Sequence, residues 1–196
     1  MIDQSIRYKD DNHYKAIRDD YMTPPNIYQP LLDLFKRTEF DIDVCCTKHN
    51  IPALKHFTKE DDGLKQHWQG LCFCNPPWKY TRLWINKGAE LVKSGVDFTG
   101  CYVVPSDRLE VVYMQQNVIN NKFAAFAILP NKQGYIIPGA EELPPVPSVG
   151  TMILILSKRA AEIAYCLNYE FTYKTAFFVG KTPAIKEGQL SLGEQL

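Results

Sequence analysis

Short apolar runs alternating with amphipathic stretches set the first limit on this fold. "LCFC" (71–74), "YVV" (102–104) and "MILIL" (152–156) are continuously apolar and lack a two-residue alternation. Runs of this kind form strands covered on both faces, as in sheets with helices on either side. Between the first two lies "TRLWINKGAELVKSG", a helical pattern. Its apolar faces come from Leu83, Ile85, Ala89, Leu91 and Val92, and Gly95 stands near its stop. Strand, helix and strand in sequence require crossover connections, so the expected fold is α/β with a mostly parallel sheet and flanking helices.

The rest of the chain extends the rhythm. In "YMTPPNIYQPLLDLF", Ile27, Leu31, Leu34 and Phe35 recur at helical spacing, and Thr23 is the expected N-cap ahead of prolines tolerated in a first turn. "FDIDVCC" is a short strand pattern. The stretch from Thr47 to Trp68 is polar and broken by Pro52 and Gly63, giving loops, a helical turn and a short strand ending near Phe57. Downstream, "FTGCYVVP" predicts a strand, "DRLEVVYMQQNVIN" a helix with Asp107 near its start, and "KFAAFAILP" a strand. "NKQGYIIPGAEELPPVPSVG" is a long loop pattern of the kind that is functional or disordered in compact domains, followed by strand "TMILILS", helix "KRAAEIAYCLNYE" and last strand "FTYKTAFFVG". With 196 residues, one domain is expected over 21–180, preceded by a polar arm (1–20) and followed by a polar tail (181–196).

Charge narrows the function classes. Lys plus Arg and Asp plus Glu both total 22, so the formal net charge is zero. A strongly basic nucleic-acid coat protein is excluded, but an enzyme with a local basic rim is not. The first residues lack the apolar core of a signal peptide, and no run approaches bilayer-spanning length, so a soluble, cytoplasmic protein is expected. Most of the six cysteines stand in apolar runs, and neither Cys45-Cys46 nor Cys72-x-Cys74 has the spacing of a zinc site. No metal is therefore expected. His49, His56 and His67 fall in the loop region without metal-ligand geometry and are read as surface or loop residues.

In an open α/β sheet, ligands sit beyond the carboxyl ends of the strands. Chemistry is therefore sought at 43–47, 75–78 and 105–108. "LCFC" runs directly into Asn75-Pro76-Pro77-Trp78. Two prolines cannot continue a ladder, and their fixed φ makes a stiff loop. The Asn75 side-chain oxygen and the Pro76 carbonyl can accept from one exocyclic amino group, while Trp78 offers a stacking face. An aromatic amine is a poor nucleophile because its lone pair is shared with the ring. Two acceptors favour a more tetrahedral nitrogen and stabilise the charge that develops as it attacks an electrophilic methyl.

Four blocks occur in order: "YMTPPNIYQPLLDLF", "FDIDVCCTKHN", "HFTKEDDGLKQHW" and "LCFCNPPW". Together they resemble the phage-type DNA N6-adenine methyltransferases, the Dam family. The resemblance is good over 21–108 and survives beyond only as strand-helix rhythm. It implies a Rossmann-like methyltransferase sheet, S-adenosylmethionine as donor, adenine in DNA as acceptor, and a phage or prophage gene acting in a bacterial host. Carried over, Asn75, Pro76, Pro77 and Trp78 are the catalytic motif. Thr23, Pro24, Asp43, Cys45, Asp61, Asp62 and Asn75 become cofactor-binding candidates. Cys45 and Cys46 stand where many methyltransferases carry a glycine-rich turn, and Trp78 where family members often have Tyr.

Lys79, Arg82 and Arg108 are the candidate phosphate contacts, with Lys87 also available on the helix that follows the motif. The same motif type suits an amine in RNA or a glutamine side chain. A degenerate member that binds without turnover is the non-enzymatic alternative. The intact Asn-Pro-Pro-Trp speaks against the last.

Overall fold

The computed structural model describes residues 21–136, 149–170 and 176–178, with backbone only for 167–170 and 176–178. The expected arm (1–20, with His13), residues 137–148 of the long loop, the ends of the last strand pattern and the tail (181–196) lie outside the described residues.

Among the described residues, three helices longer than one turn and a seven-stranded sheet follow in order: α1 (Pro25–Leu34), β1 (Phe40–Asp43), β2 (Ala53–His56), β3 (Gly70–Cys74), α2 (Thr81–Ser94), β4 (Phe98–Pro105), β5 (Ala124–Ile128), β6 (Thr151–Ser157), α3 (Ala160–Glu170) and β7 (Ala176–Phe178). The strand order is β2-β1-β3-β4-β6-β5-β7. β2, β1, β3 and β4 are mutually parallel, whereas the β4–β6, β6–β5 and β5–β7 pairings are antiparallel.

The mostly parallel sheet expected from the sequence is therefore corrected to a mixed one. An apolar run such as "TMILILS" reports burial on both faces and carries no information on strand direction. All seven residues of β6 are indeed buried.

Alternation along β4 sends side chains to opposite faces. Cys101 and Val103 join α1 and α3 in one core, with Leu31, Phe73, Ile153 and Ile163. Tyr102 and Val104 join α2 in the other, with Trp68, Trp84, Ile85 and Leu154. The sheet is thus sandwiched between helical layers, as continuous apolar strands require.

Two local expectations change. The N-cap of α1 is Pro24, with no side-chain cap bond, so Thr23 does not cap it. The helix expected from Asp107 is broken into a 3-10 turn (Ser106–Arg108), an α-turn (Val112–Met114) and a π-turn (Gln115–Ile119). Val111 is extended (φ −73°, ψ 149°), and the Gln115 side chain takes the Leu109 carbonyl at 2.6 Å, which holds the break. Gly95 ends α2 at φ 92°, a left-handed cap that suits glycine.

Candidate active site

β1 leads to β2 on one side and β3 leads to β4 on the other, so the strand order reverses between β1 and β3. Such a switch point leaves a crevice at the carboxyl edge. A cavity of about 640 Å³ opens there, lined by residues that include Thr23, Asp43, Cys45, Asp62, Asn75 and Pro77. Its size is in the range of small-molecule sites.

Asp43 closes β1 and is 1% exposed. Its carboxylate accepts from the Cys45 N–H at 3.3 Å. Burial pushes its pKa up to about 7, outweighing that hydrogen bond. Thr23 is buried, its carbonyl accepts from the Asn50 amide at 3.1 Å, and its hydroxyl has no partner among the described residues. A buried hydroxyl without a partner on a cavity wall is suited to a polar ligand atom.

The acidic pair divides. Asp61 turns back on its own loop and accepts from the N–H and hydroxyl of Thr58 at 2.8 and 2.9 Å. These bonds hold its carboxyl below the usual range. Asp62 lies on the cavity wall, with φ 50° and an ion pair to Lys65 at 2.8 Å. The next residue, Gly63, packs against the Val44 carbonyl so closely that a Cβ would stand 2.0 Å from that oxygen. Glycine is required by this close approach.

β3 ends at Cys74 and the motif follows at once. Pro76 is buried, and Pro77 begins a 3-10 turn (Trp78–Tyr80) closed by Tyr80 N–H to the Pro77 carbonyl at 2.8 Å. The buried Thr81 hydroxyl donates to the Trp78 carbonyl at 3.0 Å, stitching the turn to α2. The Asn75 amide nitrogen donates to the Tyr21 carbonyl at 3.3 Å. A carbonyl only accepts, so the nitrogen must face Tyr21 and the amide oxygen is left for another donor.

Trp78 is half-buried and meets Tyr135 edge-on, with centroids 6.3 Å apart. It is absent from the cavity wall, as are Pro24, Pro76 and Asp61. The structure therefore brings Thr23, Asp43, Cys45, Asp62, Asn75 and Pro77 together around one cavity and leaves Trp78 off its wall. Asn50, Phe57, Tyr80 and Trp84 also line the cavity and were missed in the sequence. Tyr80 alone had a local signal, an aromatic two residues after Trp78.

Among the basic candidates, Lys79 is exposed and lies over the Tyr80 ring at 5.4 Å. Arg82 and Arg108 are exposed too. The charges of Arg108 and Arg82 both act on the Tyr113 phenol, against the burial that raises its pKa. Lys87 is a correction. Its ammonium donates to the Leu64 and Gln66 carbonyls at 2.6 and 2.5 Å and sits 4.4 Å from the Trp68 ring centroid, so it is committed to the 63–68 loop.

His49 stacks on His56 at 4.2 Å, and the His56 ring pairs with the Ile51 carbonyl. Burial pushes the Cys46 and Cys72 thiols up to about 12, which leaves them as packing groups at neutral pH.

The α/β fold thus carries a polar cavity at its strand switch, with a proline-stiffened amide on the wall. The family model described as DNA N-6-adenine-methyltransferase (Dam) matches residues 10–125, more than half of the chain, and the protein belongs to that family. No curated protein matches the chain.

Proposed function

We propose that this protein transfers a methyl group from S-adenosylmethionine to the exocyclic N6 of adenine in DNA. The observation that carries this reading is Asn75. Its amide nitrogen is held by the Tyr21 carbonyl, which leaves its oxygen to accept from an amine at the cavity.

The cofactor supplies an electrophilic methyl on a sulfonium. Thr23 offers it an unpartnered buried hydroxyl, and Asp43 and Asp62 offer acceptors for its ammonium and ribose hydroxyls. Cys45 adds a compact wall where the chain turns out of β1. Asn75 and Pro76 hold the target amine in two directions and stabilise positive charge on its nitrogen. A neutral amide is a weak base, so the proton leaves late, to water. Trp78 provides the stacking face for a base flipped from the duplex or already single-stranded. Lys79, Arg82 and Arg108 supply the phosphate contacts.

Residues 21–180 form one Rossmann-like methyltransferase domain in this reading. The enzyme is encoded by a phage or prophage and acts on DNA in the bacterial cytoplasm. Among the described residues, no helix is long and apolar enough to cross a membrane.

Incubation with methyl-labelled S-adenosylmethionine and unmethylated DNA, followed by nucleoside mass analysis, tests the proposal. N6-methyl-2′-deoxyadenosine in the DNA digest is expected. Label found only with an RNA or protein acceptor would replace the substrate assignment.

A further inference from the structure

The motif is braced by two segments far from it in sequence. Residues 21–23 and 133–136 are joined by a two-way backbone bridge, in which Met22 N–H donates to the Ile136 carbonyl and Ile136 N–H to the Met22 carbonyl, each at 2.9 Å. Asn26 on α1, just after the first segment, donates to Gln133 at 3.1 Å, which ties the helix to the second segment as well. Next to the bridge, the Tyr21 and Tyr135 rings stack at 6.3 Å and 22°. Tyr135 is 3% exposed and its hydroxyl is anchored on Thr151 of β6 at 3.1 Å.

Each segment then touches one functional half of the motif. The Tyr21 carbonyl orients the Asn75 amide, and the Tyr135 ring meets Trp78 edge-on at 80°. Rotation of Trp78 would break the contact with Tyr135. Slippage of the bridge would free the Asn75 amide to turn. The amine acceptor and the stacking plane are therefore set by one shared brace, footed on a buried strand.

We infer that the 21–23/133–136 bridge is a clamp that fixes the target base between Asn75 and Trp78, with Tyr135 as its positioning residue. The inference rests on the reading of Asn75 as the amine acceptor. Tyr135 touches neither reacting atom; it acts through Trp78. The clamp governs how well a base is captured and aligned, and Tyr135 itself does not line the cavity.

The test uses the full chain with Tyr135→Ala, Tyr135→Phe and Ile136→Pro, the last deleting one bridge hydrogen bond. Steady-state kinetics on DNA are read beside cofactor affinity by calorimetry. The 19F spectrum of protein labelled with 5-fluorotryptophan reports Trp78, assigned through Trp78→Phe. Tyr135→Ala is expected to raise KM for DNA by up to about tenfold, the worth of one aromatic edge contact, with cofactor affinity at the parent value. Tyr135→Phe keeps the ring and should fall between parent and Ala, which also covers the case in which Ala does not fold. Ile136→Pro should lower kcat. The Trp78 resonance should move while those of Trp68 and Trp84 stay.

Parent KM and kcat in Tyr135→Phe and Ile136→Pro, or an unmoved Trp78 resonance, would overturn the clamp. Asn75→Ala separates the two levels. Its loss of methylation alongside parent kinetics in the clamp variants overturns the clamp alone. Parent kinetics in Asn75→Ala overturn both the clamp and the amine-acceptor reading.

Discussion

The two halves of the sheet do different work. In the parallel half, strands are short and their carboxyl ends gather Asp43, the 57–63 loop and Asn75 around one cavity. In the antiparallel half, β6 pairs with β4 along seven residues and with β5 along five, and every β6 side chain is buried. One half tolerates buried polar groups at its edge, such as Asp43 and the Thr23 hydroxyl. The other is apolar along the middle of β6, with the buried Thr151 and Ser157 at its two ends. Thr151 of β6, through Tyr135, links it to the site. The difference teaches that a cavity opens where parallel strands diverge, while the antiparallel strands interlock without one beside them among the described residues.

The comparison predicts opposite phenotypes. Leu154 on β6 is fully buried between Tyr102 and Phe126 in the pairing register. Leu154→Ala should cost about 2–5 kcal/mol of stability in denaturant titration, with kcat per folded molecule unchanged. A catalytic defect at full stability would break the division between halves.

Asp43 carries the next largest effect. Its folded pKa is raised from 3.8 to about 7, so the free folded state holds a proton that the unfolded state releases. Its contribution to stability is therefore full below pH 3.8, declines as pH rises toward 7, and is flat above. The cost approaches roughly 4 kcal/mol at most, at 1.36 kcal/mol per pH unit. Asp43→Asn should remove this slope from pH-dependent melts and stabilise the free protein near pH 8, while weakening cofactor binding.

Thr23→Val separates ligand from fold more finely. Its hydroxyl is buried without a partner, so the substitution should leave the free protein unchanged or up to about 1–3 kcal/mol more stable. Calorimetry should show weaker cofactor binding. Unchanged affinity would remove Thr23 from the cofactor site. The smallest effect belongs to the rim. Neutralising Lys79, Arg82 or Arg108 should each reduce the slope of log affinity for DNA against log salt by about 1. Lys87 should show no such change, because its charge is spent on the 63–68 carbonyls.

Legibility followed the same divide. The end of β3 at Asn75 was readable because two prolines forbid a continued ladder, and β1 and β2 were bounded by Asp43 and Phe57 nearly as expected. The direction of β6 was not readable, since burial is indifferent to strand polarity. The cap at Thr23 failed because Pro24 can take an extended N-cap conformation itself, leaving the hydroxyl to point elsewhere. Lys87 looked like any solvated lysine until the 63–68 loop folded over it. Tyr135 and its contact with Trp78 depend on chain crossing between distant segments, for which no local pattern exists.

The most direct test of the account is single-turnover methylation of DNA by Asn75→Ala, with fold and cofactor affinity measured on the same preparation. The account predicts a rate about a hundredfold to a thousandfold lower, the usual worth of one transition-state contact, with melting temperature and cofactor affinity near the parent values. Methylation at the parent rate by the folded variant would contradict it and reduce Asn75-Pro76-Pro77-Trp78 to a turn that ends a strand.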